Sequence, residues 1–142
     1  MTATVQEVLD AVAASLAPIG FKQAKAYPPQ EISPPCAFVV ATSGDIETMT
    51  AGVLDLRFDV FVFTGAQIDR AGYQAAMKYV NGTGDLSVMA AINGGNSGQS
   101  FGGVSNVKAA CIAWRFLNED EVDGFQAYGV VFSGQALITK ET

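Results

Sequence analysis

Residues 54–80, LDLRFDVFVFTGAQIDRAGYQAAMKYV, decide the fold. Apolar side chains recur first at every second position and then at helical spacing, with the change at a Thr-Gly step. One amphipathic strand therefore feeds one amphipathic helix. On the strand, Leu54, Leu56, Phe58, Val60 and Val62 share a face, and Asp55, Arg57 and Asp59 point the other way. Beyond Asp59 the second face becomes apolar as well, through Phe61 and Phe63. A strand charged on its back at one end and apolar at the other is expected to be covered there, by a helix or by another subunit.

Working outward, a Thr4-to-Glu7 capping box precedes Val5, Val8, Leu9, Val12 and Leu16, an apolar stripe at helical spacing that Pro18 and Gly20 end near Ala17. Residues 21–27 read as a short edge strand. Four prolines in YPPQEISPPC exclude helix and central strand, so this segment reads as a stiff extended connector. Residues 36–42 form a buried strand and residues 43–52, SGDIETMTAG, a loop. Thr64 with Gln67 is expected to cap the helix after the strand, its apolar side formed by Ile68, Tyr73, Ala75, Met77, Tyr79 and Val80. Asn81-Gly82 ends it, and Asp85 caps a short helix over residues 86–92. Residues 94–103, GGNSGQSFGG, read as a flexible glycine-rich loop. Residues 104–117 and 125–138 are two β-rich runs joined by NEDEVDG, a long hairpin.

Strands and helices that do not alternate regularly imply an α+β fold: a mainly antiparallel sheet with a long C-terminal β-hairpin and helices packed on one face. At 142 residues, 49% hydrophobic and 15% charged, one domain spanning residues 1–142 is expected, with about 70% of the unfolded surface buried. No apolar run is long enough for a membrane span, and the N-terminus does not read as a signal peptide, so synthesis in a reducing cytoplasm is expected. Cys36 and Cys111, in apolar surroundings, read as core thiols. The formal net charge of −6 has the wrong sign for gripping nucleic-acid phosphates.

Histidine is absent, which removes the commonest general base and transition-metal ligand. The glycine run has no Lys after its glycines and no phosphate-loop spacing. The four carboxylates of residues 118–124 lack the alternation of a calcium loop and read as a solvated hairpin tip. Asp45 and Glu47 lie two apart, with no substrate-orienting group nearby. Serine and cysteine have no His partner, and no nucleophile elbow is present. Trp114, Phe116, Tyr128 and Phe132 pack across the hairpin or, in part, face a neighbouring subunit. The expectation is a protein that acts by binding, with no catalytic, cofactor-binding or metal-ligating residues.

The segment order resembles the small tail-terminator (tail-completion) proteins of long-tailed bacteriophages that infect actinobacteria. The likeness runs through the first helix, GFKQAKAYPPQEISPPCAFVV, DIETMTAGVLDLRFDVFVF, the helix AQIDRAGYQAAMKYVNG, GDLSVMAAI and YGVVFSG. It implies a virion protein, assembled in the host cytoplasm, that sits as a ring of six copies on the head-proximal end of the tail tube. Its partners would be its own copies, the tail tube protein and the head–tail connector protein. The ring would stop tube growth and present the surface joined to the head, with DNA passing through without specific binding. Neighbouring readings are a neck or connector subunit and a minor tail protein; a more distant one is a small cytosolic ligand-binding domain. Our reading of the residues places Asp45, Glu47, Asp55 and Asp59 toward the DNA passage, where carboxylates repel phosphates. Met49, Phe61, Phe63, Phe101 and Tyr128 are the expected interface residues.

Overall fold

The structure is a computed structural model that describes residues 4–21, 23–26, 36–47, 53–65, 70–81, 84, 86–97, 100–116 and 128–139. Helix α1 (Val5–Ser15) and a 3₁₀ turn (Ala17–Ile19) lead into β1 (Gln23–Lys25), β2 (Cys36–Glu47) and β3 (Val53–Gly65). Helices α2 (Arg70–Tyr79) and α3 (Val88–Asn93) follow. The chain closes with β4 (Asn96–Ser97), β5 (Ser100–Phe101), β6 (Val104–Ser105), β7 (Val107–Phe116) and β8 (Tyr128–Thr139). The main sheet has the order β1-β2-β3-β8-β7, antiparallel except for the parallel β1–β2 edge. The fold is α+β, and the C-terminal hairpin pairs Val107 with Ile138 through to Phe116 with Val130.

Strand β3 carries the alternation that its sequence announces. Leu56, Phe58, Val60 and Val62 are buried in the main core with residues of all three helices, so the helices share one face, the front. Phe58 lies across β8 at Gly134, where a Cβ would overlap its ring. At Gly129 a Cβ would overlap the backbone carbonyl of Val62. Two glycines thus let the central strand pair close up under the core.

Helix α1 begins as its capping residue dictates: the Thr4 hydroxyl accepts from the Glu7 N–H at 3.1 Å. Its buried face holds Val8, Leu9, Val12 and Leu16 but also Ala11 and Ala13, wider than the sequence stripe. A Cβ added at Gly102 would stand 3.1 Å from the Ala11 Cβ, so a second surface closes over this flank. That surface is the meander β4-β5-β6, whose first two strands fall in the expected flexible loop and whose third takes the first two residues of the expected strand 104–117. The reason is turn chemistry: Gly102 and Gly103 both have positive φ (57° and 84°) between the paired residues Phe101 and Val104, as a tight two-residue hairpin turn requires.

Two further boundaries depart from the sequence reading. Residues 43–47, expected to be loop, continue β2 past an irregularity between Ala41 and Ser43. Thr64 and Gly65 belong to β3 and the next described helical residue is Arg70, so the expected capping of the helix by Thr64 with Gln67 turns on residues 66–69, outside the described residues. Ser87 caps α3, accepting from the Ala90 N–H at 3.0 Å. The same buried hydroxyl donates to the Asn81 carbonyl, tying the exit of α2 to the entry of α3. The proline connector, Ile68, Asp85 and the turn of residues 118–124 lie outside the described residues.

Two stability predictions follow from these contacts. Gly134→Ala is expected to lower unfolding free energy in urea by about 2 kcal/mol or more, by overpacking against Phe58, and Phe58→Leu in the same chain to recover part of it. Ser87→Ala is expected to cost more than Thr4→Ala, about 2 against about 1 kcal/mol, because it leaves the Asn81 carbonyl without its donor as well as uncapping α3.

Candidate interaction surface

The back of the sheet is divided in two. At one end Cys36, Phe38 and Phe63 form a second buried cluster, with Phe61 packed against it. Phe38 and Phe63 meet with ring centroids 5.9 Å apart, and Phe61 stacks on Phe63 at 6.4 Å. Val131, paired with Phe61, is also fully buried. The covering expected over this end is therefore present within the chain. Phe63, at 3% exposure, is corrected from an interface residue to a core residue, and Phe61 keeps only partial exposure.

At the other end the same face is polar. Asp55 accepts a 2.8 Å hydrogen bond from Gln135 Nε2 and pairs with Arg57 at 3.6 Å. Ser133 Oγ donates to Asp59 at 3.3 Å. Asp45 stands across from Asp55 in register, and Glu47 across from Val53. The side chains of Asp45 and Glu47 lie outside the described part. Of the four carboxylate residues expected to share a surface, Asp55 and Asp59 lie on the side of the sheet opposite the helices. Arg57 lies between them, so the strip is acidic but partly neutralised. Asp55 and Asp59 are held to β8 and Arg57 by these bonds rather than standing freely in water.

Phe101 is fully buried, between the meander and the main core. A Cβ on Gly95 would come within 2.7 Å of its ring, so the glycine makes room for it. Phe101 is thus a core anchor and not an exposed docking residue. Tyr128 opens β8 opposite Gly65. Met49 lies outside the described residues.

Among the described residues the exposed large apolar side chains lie elsewhere: Ile112 at 53%, Leu137 at 44% and Trp114 at 43%. Two of them belong to β7, the last strand of the sheet, which is exposed from Ile112 to Arg115. An irregularity between Cys111 and Ala113 leaves Ile112 without an opposite residue. Trp114 packs edge-on against Phe116, centroids 5.5 Å apart. The first half of β7 is protected differently. The Asn96 carboxamide grips Ala109 twice, Nδ2 donating to its carbonyl at 2.7 Å and Oδ1 accepting from its N–H at 3.0 Å. It stands in for a neighbouring strand.

A cleft of about 540 Å³ lies between the end of α1, the 3₁₀ turn and α3. It is lined by Pro18, Ile19, small residues and two hydroxyls, Ser15 and Ser87. Both hydroxyls donate to backbone carbonyls, of Val12 and Asn81. Among the described residues no group of three metal-ligating side chains converges, and no described helix is long and apolar enough to cross a membrane. Cys36 is buried on the back of the sheet and Cys111 half-buried on the front, three strands away. The separation, about 14 Å at the usual strand spacing, forbids a disulfide between them. Burial pushes the Cys111 thiol up to about 11, against a weaker opposing hydrogen bond from the Ile112 backbone.

No protein-family model matches the chain, and no curated protein sequence matches it.

Cys111 is expected to react slowly with thiol reagents in the folded protein at neutral pH and faster as the pH approaches about 11. Because its folded value is raised, unfolding favours the thiolate first. Stability is expected to fall as the pH rises from about 9 to about 11, and a Cys111→Ala chain to show a flatter decline in denaturant titrations.

Proposed function

We propose that the protein is a tail terminator: a structural subunit of a long-tailed phage that closes into a ring on the head-proximal end of the tail tube. It acts by fit alone, against its own copies, the tube and the head–tail connector. The observation that carries this reading is the exposed half of β7, an edge strand bearing Ile112 and Trp114, two of the three large apolar side chains exposed among the described residues. An open strand edge with apolar side chains is a template for another chain, and solitary proteins blunt such edges. The resemblance in segment order supplies the particular assembly.

A ring of one kind of subunit needs a head-to-tail contact that closes on itself. Stopping a tube further requires that only one axial face match the tube end. The carboxylate strip of Asp45, Glu47, Asp55 and Asp59 suits the passage: like charge keeps the genome from adhering as it slides. The partial neutralisation by Arg57 makes this a mild repulsion.

Negative-stain images of tail tubes incubated with the purified protein are expected to show it at one tube end only; decoration along the whole tube, or none, would overturn the reading. Deleting the gene in its phage is expected to give filled heads without joined tails and tubes of abnormal length. Replacing Asp59 with Lys is expected to leave particles intact and slow DNA ejection; unchanged ejection removes the lumen assignment.

A further inference from the structure

The helices pack on the front of the sheet, and part of the back faces solvent. There Lys108, Ala110 and Ala113 of β7 and Leu137 of β8 are exposed. One register row crosses this face as Asp55 on β3, Leu137 on β8 and Lys108 on β7. The next row on the same face is Arg57, Gln135 and Ala110, and the one after it Asp59, Ser133 and Ala113. The β3 side is therefore acidic with one arginine, and the β7 side carries a lysine among small residues. Leu137 stands 44% exposed between Asp55 and Lys108, and no ion pair joins Lys108 to a described residue.

We propose that two copies of the chain pack back to back on this face, about a twofold axis that runs along β8. Half a turn about that axis lays β3 of one copy over β7 of the other and β8 over β8, with each register row above itself. Leu137 then meets Leu137 of the second copy, and Asp55 meets Lys108 on either side of it. A single row thus supplies an apolar contact at the axis and two opposite-charge contacts flanking it.

The neighbouring rows fit the same axis. Arg57, the bulkiest side chain of its row, comes over Ala110. Gln135 comes over Gln135, where each carboxamide has a donor and an acceptor to offer beyond its bond to Asp55. Asp59 comes over Ala113, so no two carboxylates are opposed. Facing sheets keep their strands within about 30° of each other and about 10 Å apart, a gap that two leucines fill and a lysine spans. A twofold axis running across the strands would instead lay β3 over β3 and β7 over β7. It would set the Asp55 and Asp59 columns of the two copies against each other and Lys108 on the side of Lys108, so charge selects the axis along β8.

The open part of the face is three strands wide, smaller than a standard stable interface, so the pair forms and parts with concentration. A twofold contact closes at two copies. It is a pairing of the free protein, distinct from the contact that would build a ring. It covers Asp55 and Asp59, which the ring reading turns toward the DNA passage, so assembly on a tail would have to part it.

Sedimentation of the full chain over a range of concentrations is expected to show a monomer–dimer equilibrium that salt weakens. Lys108→Glu, at an exposed position, is expected to weaken it about tenfold, because it sets like charges against Asp55 twice in each pair. Leu137→Asp is expected to abolish it. Trp114→Ser is expected to leave it unchanged, since Trp114 lies opposite the buried Phe132 on the front. A short bismaleimide is expected to join Leu137→Cys chains to one another but not Gln74→Cys chains, altered on an exposed position of α2, with Cys36 and Cys111 of the unaltered chain as background. A chain that stays monomeric at its highest soluble concentration overturns the proposal, as does a Leu137→Asp chain that still pairs or a Lys108→Glu chain of unchanged affinity. Loss of the pair in Trp114→Ser would move the contact to the strand edge and overturn it too, and so would equal cross-linking of the two cysteine variants.

Discussion

The close approach of β3 and β8 at Gly134 is the constraint on which the rest of the structure depends. Phe58 can lie over β8 only because position 134 has no side chain, and Val62 can sit against Gly129 for the same reason. With those two contacts made, the central strands present a continuous apolar surface of Leu56, Phe58, Val60 and Val62, joined by Val130, Phe132, Ala136 and Ile138. Helices α1, α2 and α3 seat on that surface. Burying each large apolar side chain there contributes about 1.5–3 kcal/mol, so the seat outweighs any single cap or surface pair.

The same strand pair also sets the back of the sheet, where period-two alternation forces a choice at every position. The apolar end, around Phe38 and Phe63, is closed within the chain and adds a second core. The polar end keeps Asp55, Arg57, Asp59, Ser133 and Gln135 in a bonded strip. Among the described residues, two of the three exposed large apolar side chains, Ile112 and Trp114, lie on the edge strand β7, and the third, Leu137, on the back of β8. Two of the three thus stand at an edge of the sheet. That physical character, rather than any pocket, supports the proposed role in assembly.

Residues that would serve an interface carry no chemical signature in a sequence, in contrast to catalytic or metal-binding groups. The sequence reading takes Phe61 and Phe63 as contacts because they make the outer face of their strand apolar at one end, and Phe101 as the apolar anchor of a glycine-rich loop. Phe63 and Phe101 proved to be core. Trp114 looked like a core aromatic of the hairpin and proved half-exposed. The signal that could have found it was position: a long strand at the chain's end is a candidate for the sheet edge, and Ile112, the extra residue in β7, cannot be recognised without its pairing partner.

What local physics decides was legible in the chain itself. Alternation fixed the faces of β3, Thr4 fixed the start of α1, and the spacing of two β-rich runs fixed the final hairpin, because each depends on residues near in sequence. The tertiary structure alone decided the order β1-β2-β3-β8-β7, the conversion of the glycine run into a meander, and the burial of Phe63 and Phe101. Burial is a property of what lies across from a residue, and the strands facing one another here are far apart in the chain. No pattern within a single segment can report which neighbour it will meet.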